Sequence, residues 1–369
     1  MFHVKRSPID RLRSGLAALE REGLLRHDRP DPEGPRPGAG GPGGLSLRSN
    51  DYLGLAGSTG AGASRLVGGD LPEHHRVEEA VARWLGVESS LLFSSGFAAN
   101  VGLVSALAQP GVLVVSDALN HASLVDGARL GRARVLVSPH LDLDAVRRAL
   151  RERQEVDAWV VVESYYSMDA DSPDLATLAS ICAEHGAGLL VDEAHAAGIF
   201  GPEGRGLAAA AGVCPEGRMV GLGKALGLQG GMVAGPAELR AWLWNHARSF
   251  VFSTGASPLL AREAYLRLSV VAAADGARER LRERASRLRA GLEQMGLSVR
   301  GHGPIVPVVI GPVDETLRIA RALQERGVHV QAIRPPSVPR GTARIRMTVN
   351  VHLTDADIDH ALTAWRAVV

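Results

Sequence analysis

Short apolar runs alternate with helical patterns between residues 91 and 191, and this alternation constrains the fold more than any other feature of the chain. The runs are apolar without interruption, as strands are when both faces of a sheet are covered. They lie at 91–93, 112–115, 135–137, 159–162 and 188–191. We therefore predict an α/β fold, with a mostly parallel sheet and right-handed helical crossovers.

The pattern changes towards the C-terminus. Residues 257–295 have long helical periods, and they are followed by strand patterns at 305–310, 328–333 and 343–349 and helical patterns at 314–326 and 355–367. This order predicts a compact α+β domain. We divide the chain into an N-terminal helix with a Gly/Pro-rich arm (1–48), a large domain (49–255), and linking helices with the α+β domain (256–369).

Composition excludes several classes of function. The net charge is +1 and aromatic residues make up 4% of the 369 residues, which argues against nucleic-acid binding. No apolar run is long enough to span a bilayer, and the N-terminus has no apolar core of signal-peptide length. Cys182 and Cys214 show neither metal nor redox spacing. We expect a cytoplasmic protein without a metal, a nucleic-acid partner or a membrane partner.

Lysine is almost absent from the chain. Of 41 basic residues only Lys5 and Lys224 are lysine, and the other 39 are arginine. Arginine keeps its proton near neutral pH, so it can neither act as an amine nucleophile nor form a Schiff base, whereas lysine can do both. Lys224 is flanked by glycines, which let a ligand approach the backbone. The loop alone leaves two interpretations open, a functional amine and a surface lysine beside a turn.

Polar groups follow three of the predicted strands. Gly96 and Phe97 open a helix after the first strand, where backbone N–H groups bind phosphate, although an ordinary turn has the same pattern. His121 suits either ring stacking or helix capping. Asp192 ends a buried strand three residues before His195, and this pair suits a protonated ring nitrogen or a metal, for which no third ligand is evident.

These groups form a consistent set at the carboxyl ends of strands, where ligands bind in such sheets. A phosphate site, a stacking histidine, a carboxylate for a pyridine nitrogen and an amine are the requirements of a pyridoxal 5′-phosphate site. They occur in the order expected for such enzymes. We therefore predict pyridoxal 5′-phosphate as the cofactor, held at Lys224.

Sequence motifs along the chain resemble the α-oxoamine synthases, a pyridoxal-phosphate family of fold type I. The resemblance runs from about residue 9 to the C-terminus. It is carried by SNDYLGL (49–55), SRLV (64–67), SGFAAN (95–100), NHASL (120–124), SMD (167–169), DEAH (192–195), GKA (223–225), FST (252–254), AIRPPSVP (332–339) and TARIR (342–346). The resemblance implies a large, mostly parallel seven-stranded sheet domain and a small C-terminal α+β domain.

The resemblance also implies roles for individual residues at the cofactor. Lys224 would form the Schiff base, and Asp192 would pair with the pyridine nitrogen. His195 would hydrogen-bond the ring 3-oxygen, and His121 would stack on the ring. The phosphate would bind the N–H groups of Gly96 and Phe97. The remaining cofactor contacts implied are Glu163, Ser167 and Thr254.

Five residues are implied on the substrate side. Arg346 would bind the carboxylate of the amino acid, and Arg26 and Arg334 would bind the acyl or thioester part. Ser337 belongs to the same tail segment as Arg334. The family's site lies at a homodimer interface, so Asn50 and Thr254 would reach the site of the partner subunit.

The implied reaction is a decarboxylative condensation of an amino acid with an acyl thioester. The segment AIRPPSVP resembles the members that use L-alanine and a pimeloyl thioester more than those that use glycine or serine. The alternatives left open are a glycine-using member that makes aminoketobutyrate or aminolevulinate, and a non-catalytic binding protein of the same fold. We reject a nicotinamide-dependent oxidoreductase because the G-x-G-x-x-G match at 38–43 follows no strand and is interrupted by proline.

Two features depart from the family pattern. The position three residues before the lysine usually carries Ser or Thr, which contacts the phosphate, and here it is Gly221. The Gly/Pro-rich segment 30–44 replaces the usual short strand pair.

Overall fold

A computed structural model of the chain describes residues 7–27 and 59–369. Asn50 and the 30–44 segment lie outside these residues. The described chain forms two compact units. The first, here the N-terminal unit, contains residues 7–27, 59–164 and 173–273, and the second, the C-terminal unit, contains Tyr165–Ser172 and Ala274–Val369. No helix in the described ranges is long and apolar enough to cross a membrane.

The strands of the N-terminal unit are β1 Ser89–Phe93, β2 Val112–Asp117, β3 Arg134–Ser138, β4 Asp157–Glu163, β5 Gly188–Asp192, β6 Gly217–Gly221 and β7 Gly231–Gly235. Its helices are α1 Pro8–Arg21, α2 Pro72–Leu85, α3 Gly96–Leu107, α4 Ala122–Leu130, α5 Leu143–Glu152, α6 Leu175–His185, α7 Leu207–Ala210, α8 Ala237–His246, α9 Arg248–Val251 and α10 Pro258–Ala272. A π-helical turn at Arg65–Gly69 and a 3₁₀ turn at Pro202–Gly204 complete the unit.

The seven strands form one sheet in the order β1-β7-β6-β5-β4-β2-β3. The neighbours from β6 to β3 pair in parallel, whereas β7 is antiparallel to both β1 and β6. This confirms the predicted α/β class and the mostly parallel sheet. Helices cover both faces, because one buried apolar cluster contains α3 with Leu103 and a second contains α6 with Leu178.

The C-terminal unit is built on a four-stranded sheet in the order β10-β11-β9-β8. Its strands are β8 Ser298–Val299, β9 Ile305–Gly311, β10 Gln331–Ile333 and β11 Ala343–Thr348, and its helices are α11 Asp275–Glu293, α12 Val313–Gln324 and α13 Asp355–Arg366. All its strand pairs are antiparallel. The predicted α+β arrangement of this part is therefore confirmed.

The division of the chain into 1–48, 49–255 and 256–369 stays a prediction, but the compact units end elsewhere. Helix α10 belongs to the N-terminal unit, because Ala261, Ala264 and Leu268 share a buried cluster with Val77 and Val81 of α2. Residues 165–172 belong to the C-terminal unit although they directly follow β4. Neither assignment is encoded in local periodicity.

A buried ion network fixes the start of α2 beside the sheet. Glu78 accepts hydrogen bonds from both terminal nitrogens of Arg65, from Nη2 of Arg240 (3.0 Å) and from the backbone N–H of Leu92 (2.9 Å). Arg65 also donates from Nε to Asp70 (2.6 Å). Burial alone raises the pKa of Glu78, but the neighbouring guanidinium groups more than offset it, so the pKa is lowered. The carboxylate is therefore charged in the folded protein.

We expect Glu78→Ala to destabilise the protein by about 3–5 kcal/mol, because buried Arg65 keeps only Asp70 as a carboxylate partner among the described residues and Arg240 loses Glu78. The matched control is Glu79→Ala, next to it on α2, where an exposed carboxylate lies 3.8 Å from Arg83. That change should cost about 0–1 kcal/mol. Thermal unfolding of the two variants measures the difference, and equal melting temperatures would contradict this account of the network.

Candidate active site

The carboxyl ends of the parallel strands define one edge of the large sheet, and a cavity of about 400 Å³ lies there. Parallel pairing sets Glu163, the last residue of β4, directly opposite Asp192, the last residue of β5. Both side chains are buried and both line the cavity. The register of two strands therefore determines that two carboxyl groups face the same space.

The structure brings together seven of the residues predicted to bind the cofactor. The cavity lining includes Gly96, Phe97, His121, Glu163, Asp192, His195 and Lys224. It also includes Gly221, the position where the family pattern has Ser or Thr, and residues to which the sequence analysis gave no role, namely Ser95, Asn100, Ser123, Ala194, Met219, Gly223, Leu228, Gln229 and Gly230.

The N-terminus of α3 provides an anion site in this cavity. Ser95 caps the helix, its Oγ accepting from the N–H of Ala98 at 3.0 Å. Gly96 and Phe97 occupy the first turn, where N–H groups have no intrahelical acceptor and the helix dipole favours an anion. Residue 231 of β7 must be glycine for the strand to lie this close to the start of α3, since a Cβ there would lie 2.6 Å from Cα of Gly96.

Gly221 ends β6, a strand that is not among the apolar runs found in the sequence. The loop between β6 and β7 covers only 222–230, and it contains Lys224. A Cβ at position 221 would lie 3.1 Å from Cβ of Ala194, tighter than most such contacts. Glycine at 221 therefore fits the close packing of β6 against the residues that follow β5.

The carboxylate of Asp192 is held by hydrogen bonds from two directions. Nδ2 of Asn100 donates to Oδ2 at 2.7 Å, and the N–H of Ala194 donates to Oδ1 at 2.8 Å. Burial raises the pKa of Asp192 to about 6 even against these donors and the charge of Lys224. The site therefore contains a buried, oriented anion that is suited to a cationic ligand group.

Glu163 differs from Asp192 in the groups that its carboxyl oxygens bind. Burial and the adjacent charge of Asp192 raise the pKa of Glu163 well above its usual value. The backbone N–H of His121 donates to Oε1 of Glu163 at 2.7 Å, so this carboxyl group holds the backbone of His121 at the sheet edge. The two neighbouring acids thus have different roles, because Glu163 holds the backbone of His121 and Asp192 is an oriented carboxylate that faces the cavity.

The next acid in the chain, Glu193, serves the fold. Its Oε2 accepts from the N–H of Leu207 (2.9 Å) and its Oε1 from that of Ala208 (2.8 Å), at the start of α7. Adjacent residues at a strand end point to opposite sides. The DEAH motif therefore contributes Asp192 and His195 to the cavity and Glu193 to packing.

The other predicted site residues lie elsewhere, and their roles stay predictions. The backbone of Arg26 is held by Asn245, whose Oδ1 accepts from its N–H at 2.9 Å, and Thr254 pairs with Ser64 in a β-bridge. Ser167, Arg334, Ser337 and Arg346 belong to the C-terminal unit. Within that unit, Nε of Arg346 donates to the carbonyl of Ser167 at 2.7 Å.

Asn100 is the clearest residue that sequence reasoning missed. It is a single amide in an otherwise apolar stretch, one turn after the start of α3. A polar group at that spacing lies on the same helix face as the N-terminal residue, which could have identified it. Among residues 7–27 and 59–369, no group of three or more His, Cys, Asp or Glu side chains is arranged to bind a metal ion.

A family model for "Aminotransferase class I and II" matches residues 43–364. The chain belongs to this family. It is 42% identical to an 8-amino-7-oxononanoate synthase of Anaeromyxobacter dehalogenans, with 99% of this chain and 97% of that protein covered. It is 44% identical to the 8-amino-7-oxononanoate synthase of Mycolicibacterium smegmatis, with 85% and 86% covered.

Solved structures of the same fold include a serine palmitoyltransferase of Sphingomonas wittichii, with a TM-score of 0.81, 27% identity, and 98% of this chain and 96% of that chain covered. An 8-amino-7-oxononanoate synthase of Francisella tularensis has a TM-score of 0.72 at 24% identity, with 80% and 87% covered, and shows the fold alone. The likeness to these proteins confirms the predicted fold type.

The pKa of Asp192 gives a test on protein without added cofactor. Because folding raises this pKa from 3.8 to about 6, the ionised form is disfavoured in the folded state. The free energy of unfolding should therefore fall as pH rises through this interval, by about 3 kcal/mol. Asp192→Asn should remove this loss, so it should raise the melting temperature above pH 6 and leave it nearly unchanged at acidic pH.

Asp117 provides the control, because this buried carboxylate at the end of β2 accepts from the N–H of Leu119 (2.8 Å), the N–H of Leu141 (2.9 Å) and Nδ1 of His140 (2.8 Å). Asp117→Asn should lower the melting temperature. A melting temperature of Asp192→Asn below that of the unmodified protein at every pH would contradict the assignment of Asp192 as a costly, functional charge.

Proposed function

We propose that the chain is a pyridoxal-phosphate-dependent acyltransferase that condenses L-alanine with a pimeloyl thioester. The acyl carrier is CoA or acyl carrier protein. The products are 8-amino-7-oxononanoate, carbon dioxide and the free thiol, in a step of biotin biosynthesis. The observation that carries this proposal is the 42–44% identity with curated relatives of that name over most of both chains. The geometry of the cavity is compatible with it.

The cavity residues fit pyridoxal phosphate by the chemistry of their donors. The first turn of α3 offers N–H groups to a phosphate, and glycine at 231 lets β7 pack against this turn. Asp192 offers a buried carboxylate to a pyridinium N–H, and Lys224 is the single lysine among the described residues. Solved structures similar to this one include SPT with PLP, at 28% identity and a TM-score of 0.80.

Pyridoxal phosphate, when bound, supplies a ring that takes up the electron pair left at the α-carbon of an amino acid. Asp192 keeps a proton on the ring nitrogen, because a buried anion favours the protonated form. With the cofactor bound, His195 would hydrogen-bond the ring 3-oxygen and His121 would lie against one ring face. The amine of Lys224 attaches the cofactor and, when free, removes and returns the proton at the α-carbon.

The remaining roles rest on the sequence resemblance. Arg346 binds the carboxylate of the amino acid, and Arg26, Arg334 and Ser337 act on the acyl side. We further propose a cytoplasmic homodimer in which Asn50 and Thr254 of each subunit reach the partner's site. Ser167 and Thr254 complete the proposed cofactor contacts.

Product analysis tests the reaction. The purified protein with pyridoxal phosphate is incubated with L-alanine, glycine or L-serine, each against pimeloyl-CoA, acetyl-CoA and palmitoyl-CoA, and the products are identified by mass. Only L-alanine with pimeloyl-CoA should give efficient turnover, with 8-amino-7-oxononanoate as the product. Lys224→Arg is the control and should lower kcat by at least about 10³-fold, since a guanidinium can neither attach the cofactor nor exchange the proton.

Turnover with glycine and acetyl-CoA would assign the protein to a different branch of the family. Turnover with serine and palmitoyl-CoA would favour the second candidate, a serine palmitoyltransferase, which is supported by the TM-score of 0.81. The lower sequence identity of that neighbour, 27% against 42%, is why we place it second.

Arg346 gives a separate test of substrate binding. Within the described part of the C-terminal unit, the hydrogen bonds of its guanidinium go to the carbonyl of Ser167 (2.7 Å) and to Oγ1 of Thr348 (3.3 Å), neither of which is a carboxylate. Arg346→Lys should raise the KM for L-alanine about 10-fold or more, because an ammonium group cannot bind a carboxylate bidentately. The affinity for pyridoxal phosphate should not change. The exposed Arg340→Lys is the control, and an equal KM in both variants would contradict the role of Arg346.

A further inference from the structure

Four side chains at the sheet edge form one hydrogen-bonded chain, here called the relay, that runs from Asp192 to His121. Asn100, which is 1% exposed, donates from Nδ2 to Oδ2 of Asp192 at 2.7 Å and to Oγ of Ser123 at 2.9 Å. Oγ of Ser123 lies 2.7 Å from Nδ1 of His121. The relay therefore links the carboxylate and the imidazole through two residues that have no assigned role.

The direction of each hydrogen bond in the relay follows from what its atoms can donate. An ionised carboxylate only accepts, so the amide nitrogen of Asn100 has to face Asp192. The same nitrogen donates its second proton to Oγ of Ser123. The hydroxyl proton of Ser123 is then available for Nδ1 of His121.

A second donor faces the same nitrogen of His121. The backbone N–H of Ser123 points at Nδ1 from 3.3 Å. The hydroxyl of Ser123 could turn to accept from a protonated Nδ1, but the backbone N–H can only donate, so this nitrogen accepts and the ring proton is on Nε2. The backbone N–H of His121 donates to Glu163, and this hydrogen bond fixes the position of the His121 backbone.

We propose that Asn100 and Ser123 are positioning residues of this site, which hold the carboxylate of Asp192 in place and keep His121 a neutral imidazole with its proton on Nε2. That a pyridinium ring binds beside the relay rests on the proposed function. The advantage is electrostatic, since a cationic imidazole against the ring would oppose the protonated ring nitrogen that Asp192 stabilises.

The surroundings of His121 agree with a neutral ring. The charged groups that act on it are Lys224, which disfavours a cation, and Asp126, which favours one. Burial and the charge of Lys224 lower the pKa of His121. The rings of Phe97 and His121 lie at a steep angle of 77° with centroids 6.3 Å apart, so an apolar ring is a neighbour of the imidazole.

The tautomer can be measured on the full chain without cofactor or substrate. Protein labelled with ¹⁵N-histidine is studied by long-range ¹H–¹⁵N NMR, and the His121 signals are identified by their loss in His121→Gln. We expect Nδ1 without a proton and Nε2 with one at neutral pH. Ser123→Ala removes one of the two donors, so both tautomers should be populated, and the affinity for pyridoxal phosphate should fall about 10-fold.

Ser249→Ala is the matched control. Its hydroxyl donates to the carbonyl of Ala98 at 2.6 Å, so the change also removes a serine hydrogen bond to α3, but one that has no link to the relay. It should leave both the tautomer and the cofactor affinity unchanged.

A proton on Nδ1, or a cationic His121, in the unmodified protein would overturn the proposal, and this measurement does not depend on the folding of any variant. Equal tautomer populations and equal cofactor affinity in Ser123→Ala and Ser249→Ala would also overturn it. Because the tautomer is read without turnover, failure of the proposed reaction would leave this result standing, and failure of the relay would leave the reaction standing.

Discussion

The parallel pairing of β4 with β5 is the constraint on which the site depends, because it sets Glu163 opposite Asp192 at the edge of the sheet. Burial raises the pKa values of both carboxyl groups, and for Glu163 the charge of Asp192 adds to this effect. Glu163 holds the backbone of His121, and Asp192 is an oriented carboxylate. The proposed chemistry rests on this difference.

The site is held by neighbours that do not themselves react. Asn100 restrains Asp192, Ser95 caps the helix that offers its N-terminus, and glycine at 221 and at 231 allows the close approach of backbones. Away from the cavity, the ion network around Glu78 keeps α2 against the sheet. These contacts bury polar groups, which lowers the free energy of unfolding. The large apolar clusters on both faces of the sheet offset that loss.

Much of the fold could be predicted from the sequence, because buried parallel strands leave continuous apolar runs and their helices leave a regular period. β6 was missed because its glycines and its position next to the lysine make it resemble a loop. The extent of the units was not predictable either, since the placement of α10 and of residues 165–172 depends on which surfaces pack together.

The sequence by itself determined which chemical groups the proposed site contains. They are one internal lysine among arginines, an acid at the end of a buried strand, and a glycine at the start of a helix. These are local facts that need no coordinates. Only the tertiary structure decided how they act, because strand register makes Glu163 and Asp192 neighbours, and folding brings Asn100 within 2.7 Å of a residue 92 positions away. Distances of that kind arise from packing, which no local pattern encodes.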